Sequence, residues 1–182
     1  MQYFKMRAAH DFSSIGVVYE SDWLKVVECV NHPSGQCWTP VEVRWLKELS
    51  DLEGDFPYFA PRVHAFSRRA CGFLADYLSG SGSFLPLDGL GREYIAYRVT
   101  AVLDALDREN SVLKPIAPEL FEIESAALDI EKIELRHHIF TVPESLTAVF
   151  VSQRFRDTVE QNGLRGFHFD QVTMLKGGGQ VH

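Results

Sequence analysis

Along Leu146 to Val172 the hydrophobic positions change period twice. An apolar run, Thr147 to Val151, stops at Ser152. Val151, Phe155 and Val159 then recur at every fourth residue, which puts them on one helical face. Ser152 suits the N-cap, since its hydroxyl can accept from the free amides of the first turn. Gly163 suits the position just past the helix, where φ > 0 is needed. From Gly166 to Val172 alternation returns. The stretch reads as strand, helix, strand.

The same unit occurs earlier. Val63 to Leu87 superimposes on it without a gap at an offset of 85 residues, Ser67 falling on Ser152, Arg69 on Arg154 and Phe84 on Phe169. Ala70 and Leu74 meet the inward positions Phe155 and Val159, and Leu87 meets Val172. Caps, helix face and returning strand coincide, so we expect two related strand–helix–strand units over a shared sheet.

Elsewhere strands are expected at Met1 to Ala9, Ile15 to Tyr19, Leu24 to Val30, Val41 to Trp45, Glu93 to Val99, Leu120 to Leu128 and His138 to Val142. Asn31 to Pro40 reads as a loop, Leu46 to Phe59 as an acidic surface connection, and Asp88 to Arg92 as a turn. Thr100 to Asp107 reads as a short helix with Val102, Leu103 and Leu106 inward. Asn110 to Pro118 reads as a loop, because Pro115 and Pro118 cannot donate to a ladder. A further turn is expected around Asp129 to Lys132. The tail from Lys176 has nothing to bury and should be mobile. Together these predict α+β architecture in a single domain: a mixed or antiparallel sheet with the two related units. We divide it into N-terminal strands and variable loops (1–60), a core (61–175) and the tail (176–182).

At 182 residues the chain can bury a core without staples or a metal. Its net charge of −7, from 25 acidic and 18 basic side chains, disfavours nucleic acid and anionic membrane as partners. It favours a basic protein. The cysteines, Cys29, Cys37 and Cys71, are odd in number and form no C-x-x-C pair. With no apolar leader after Met1, a cytoplasmic setting is expected.

Candidate chemistry is thin. His137 and His138 are neighbours and would point to opposite faces of a strand. Cys29, His32 and Cys37 lack a fourth zinc ligand. Asp104, Asp107 and Glu109 could form a carboxylate cluster for acid–base work, but Asp104 or Asp107 capping a local backbone fits the helix-end residues around them better. No nucleophile elbow, phosphate loop or dinucleotide fingerprint occurs. The sequence calls for no catalytic residues, no metal and no cofactor.

Two stretches resemble a known family. Arg98 to Ser111, RVTAVLDALDRENS, is similar to a segment of immunity family eleven of bacterial polymorphic toxin systems, with Val99, Val102, Leu106, Asp107, Glu109 and Ser111 on its pattern. Arg98 stands where that family has Asn, and Ala105 where Cys is frequent. Val149 to Gly166, VFVSQRFRDTVEQNGLRG, resembles the same family's C-terminal strand and helix. The resemblance runs from about Pro61 to Val172.

It implies an immunity protein that binds a cognate secreted toxin and blocks it, so the partner expected is a toxin protein. The 31–55 region departs from the family, and partner specificity tends to sit on loops carried by a rigid scaffold. Trp38, Glu48, Asp51, Glu53 and Asp55 are therefore the expected partner-binding residues. Two other readings stay open: a small carboxylate- or metal-dependent enzyme, and a self-associating structural module.

Overall fold

A computed structural model describes residues 2–31, 38–48, 50–90, 93–117 and 120–176. Its elements run β1 (Tyr3–Ala8), β2 (Ser14–Val17), α1 (Asp22–Asn31), β3 (Val41–Leu46), β4 (Val63–Ser67), α2 (Arg68–Leu78), β5 (Gly82–Gly89), β6 (Tyr94–Val99), β7 (Val112–Ala117), β8 (Leu120–Ser125), β9 (Ala127–Asp129), β10 (Ile139–Val142), β11 (Ser145–Ser152), α3 (Gln153–Gln161), β12 (Phe167–Gln171) and β13 (Thr173–Leu175). The fold class is α+β, as expected. The strands form a five-stranded sheet ordered β2-β3-β5-β6-β4 and a four-stranded sheet ordered β10-β11-β1-β12, with the pairs β7-β8 and β9-β13 beside them.

The two related units are both present, on separate sheets instead of a shared one. In each, a serine caps the helix: the Ser67 hydroxyl accepts from Ala70 N and that of Ser152 from Phe155 N. The likeness extends to a third strand between the two parallel arms. That strand is β6 in the first unit and β1 in the second, antiparallel to both its neighbours. Tyr94 faces Ser67 as Tyr3 faces Ser152, and Arg98 faces Ser83 as Arg7 faces His168.

Alternation along the strands gives each sheet two buried faces. One core joins the inner faces: Phe66 and Tyr97 of one sheet and Phe4, Met6, Val149 and Val151 of the other close over Ala70, Leu74, Leu78, Phe155 and Val159 of α2 and α3. Each large side chain buried there contributes roughly 1.5–3 kcal/mol. The far face of the five-stranded sheet (Val63, Ala65, Leu85, Ala96) packs against Val26 of α1 and Phe59. The far face of the four-stranded sheet (Tyr3, Phe140, Phe150) packs under Ala105, Leu106, Leu128 and Ile133.

Several expected elements are corrected. Leu24 to Val30 lies in helix α1, not a strand. Thr100 to Asp107 is extended, with Val102 bridged to Thr141 and Leu106 to Leu128. Of its three expected inward residues, Leu106 is buried and Val102 is exposed. Val112–Ala117 is a strand, because Pro115 sits in a two-stranded hairpin with β8 where one lost donor is tolerated. The 120–128 strand breaks into β8 and β9 at Ala126. The 46–59 connection is not all surface, since Phe56 and Phe59 are fully buried. Residues 32–37 of the expected loop, 91–92 of the expected turn and 177–182 of the tail lie outside the described residues.

Candidate partner-binding surface

β3 carries Val41 and Val43 into the core and leaves Glu42 and Arg44 exposed. Just before it, Trp38 is half-buried against the same core, and its indole Nε1 donates to the Pro86 carbonyl at 2.7 Å. After β3 the chain turns over the β1–β2 connection. Ser50 Oγ donates to the Asp11 carbonyl at 2.8 Å, and Ser13 N donates to the Leu52 carbonyl at 2.8 Å. These bonds hold Glu48 and Asp51 out in solvent. Glu48 also lines a cleft of about 450 Å³ walled by Phe12, Leu46 and Tyr58.

Glu53 is exposed and pairs with Lys47 at 2.9 Å, a contact that raises the Lys47 pKa. Asp55 is different. Its carboxylate takes the Ser67 hydroxyl at 2.6 Å, the Arg165 amide at 2.9 Å and the Arg69 guanidinium at 3.3 Å. Next to it, Tyr94 donates its hydroxyl to the Gly54 carbonyl at 2.9 Å. Burial, and then the charges of Asp55 and Glu53, push the Tyr94 phenol up to about 12. Of the five expected residues, then, Glu48, Asp51 and Glu53 present carboxylates outward, while Trp38 and Asp55 spend their polar groups inside the molecule.

The alternative carboxylate group does not converge. Asp107 caps its own turn, accepting from the amides of Glu109 and Asn110, each at 3.0 Å. Those bonds hold its pKa below the usual carboxylate value. Ser111, also on the family pattern, accepts from the Ala127 amide at 2.9 Å and so ties that turn to β9. Asp104 and Glu109 are exposed. Among the described residues no three His, Cys, Asp or Glu are grouped to hold a metal ion. Cys29 is buried, and His32 and Cys37 lie outside the described residues. His138 Nδ1 lies 2.8 Å from the Ser152 cap.

The sequence reading missed α1. Its outer side exposes Trp23, Leu24 and Val27. The signal was there in the polar positions Asp22, Lys25 and Glu28, which recur at every third residue and trace a helix rather than a strand.

No helix among the described residues is long and apolar enough to cross a membrane. Comparison with curated proteins gives no match. The family model that matches covers the far end of β5 through β13, so the first strand–helix–strand unit lies almost wholly outside it. Residues 89–174 of this chain match the Immunity protein family (Imm11), the family that its two sequence stretches resemble.

Proposed function

We propose that this chain binds a cognate secreted toxin domain and neutralises it by protein–protein contact, with no chemistry of its own. The observation that carries this reading is the immunity-family match over residues 89–174. The net charge of −7 and the outward carboxylates of Glu48, Asp51 and Glu53 suit a basic toxin, such as a nuclease whose substrate channel attracts acidic side chains. Charge of this kind speeds encounter and selects the partner, while affinity comes from a few buried anchors.

The test is co-expression with the C-terminal domain of any secreted protein found encoded next to this chain. The expected outcome is a stable complex and growth of cells that the toxin alone arrests. Arrested growth with no complex rules the reading out.

A further inference from the structure

Helix α1 has two apolar sides. Val26 and Cys29 face the core at 1% exposure each. At 100° per residue, Leu24 projects opposite that face, with Val27 and Trp23 beside it. Leu24 is 67% exposed, Val27 53% and Trp23 36%. Polar residues at those positions would have served a helix packed on one side only; an exposed apolar patch rimmed by polar residues marks an interaction surface. Trp23 is held in place by stacking on Phe59, ring centroids 5.9 Å apart. A fixed tryptophan amid exposed aliphatic side chains is the composition of a binding anchor.

The surrounding charge selects the occupant. Asp22 is neutralised by Lys25 at 2.6 Å. Glu20 and Glu28, both exposed, have no ion pair among the described residues and flank Leu24. A second copy of a chain of net charge −7 would set the same carboxylates against themselves. An anionic lipid surface would repel them too. A protein with an apolar hollow rimmed by Lys or Arg fits.

We infer that the outer face of α1, with Trp23, Leu24 and Val27 as apolar anchors and Glu20 and Glu28 as rim, is the surface on which the basic toxin domain docks. This rests on the proposed function and locates its main contact in the part of the chain outside the family match.

The test measures affinity of the purified, catalytically inactivated toxin domain by titration calorimetry for the wild-type chain and for variants. Leu24→Lys/Val27→Lys should weaken binding on the order of 100-fold, as loss of two anchors does. Glu28→Lys alone should weaken it less and flatten its salt dependence. Leu135→Lys, at the 74%-exposed Leu135 of another segment, should bind as wild type does. All four sites are exposed, and unchanged thermal melting confirms intact folding. Full affinity in the double variant overturns this inference and leaves the proposed function standing. No binding by the wild-type chain removes both. A wild-type dimer that the double variant dissociates, with toxin affinity unchanged, assigns the face to a second copy and also overturns the inference.

Discussion

Ser67 donates its hydroxyl to Asp55 across 2.6 Å, and through that contact the two strand–helix–strand units are tied together. The backbone of Asp55 continues the tie, its N–H donating to the Arg165 carbonyl and its carbonyl accepting from Ser67 N, both at 2.8 Å. Asp55 thus bridges the start of α2 in one unit and the approach to β12 in the other.

Asp55→Ala should therefore act on stability before it acts on binding. It strands the Ser67 hydroxyl and leaves the exposed Arg165 amide to water, a loss of about 1–2 kcal/mol. Chemical denaturation measures it. Glu48→Ala and Asp51→Ala, whose carboxylates stand in solvent, should fall within about 0.5 kcal/mol of wild type. An equally small effect at Asp55 would show that the bridge is not needed.

The contrast shows where the sequence was legible. The serine caps and the inward positions Ala70, Leu74, Phe155 and Val159 were readable because they depend on spacing within one helix. The third strand of each unit was not. β6 follows its unit in the chain whereas β1 precedes its own by more than a hundred residues, so a fixed offset aligns the arms and misses Tyr3 with Tyr94. Asp55 reads as one more acid in an acidic loop until distant Ser67 and Arg165 are brought to it. The α1 error has its own cause: apolar residues on both sides of a helix produce nearly continuous hydrophobicity, which a buried strand also shows. The feature that misled the secondary-structure reading is the one that points to a partner.

Acid should weaken the fold through His64. Its ring stacks on Phe56, centroids 5.6 Å apart, and its Nε2 is closed off from water without a hydrogen-bond partner among the described residues. Burial lowers its pKa from 6.5 to about 4. Between those values the unfolded chain holds a proton that the folded chain does not. Stability is therefore full above about pH 6.5 and falls as pH drops toward 4, by up to about 3 kcal/mol. His138, lowered by burial and then by Arg154, adds a contribution of the same sign. Asp107 and Asp170, both lowered, act further down, below their ordinary 3.8. His64→Phe should flatten the pH 4–6.5 limb of a denaturation series; an unchanged limb means that His64 is not its source.

Glu144 is 1% exposed, with Oε1 on the Arg108 guanidinium at 2.7 Å and Oε2 unpartnered among the described residues. Arg108 is 67% exposed, so solvent screens part of the pair. Removing it alone leaves a buried charge, and Arg108→Ala should cost about 1–3 kcal/mol. The double variant Arg108→Met/Glu144→Leu removes both charges and should recover most of that. A double variant less stable than Arg108→Ala would mean that the carboxylate is needed for contacts beyond Arg108.

The same substitution should have opposite signs at two glycines. Gly82 opens β5 opposite Val99, where a Cβ would stand 2.3 Å from the Arg98 carbonyl oxygen and 2.5 Å from the Tyr97 hydroxyl. The carbonyl belongs to the ladder of β6 and cannot swing away, and the Tyr97 hydroxyl is itself held by the Leu78 carbonyl at 2.6 Å. Gly82→Ala must push β5 off β6, at a cost of about 3 kcal/mol. Gly72, exposed within α2, has nothing within 4 Å of an added Cβ. There Ala reduces the freedom of the unfolded chain and should stabilise by about 0.5–1 kcal/mol. Thermal melts of the two variants should move apart from wild type in opposite directions. Equal shifts would contradict the close β5–β6 approach at Gly82, and with it the register that aligns the first unit with the second.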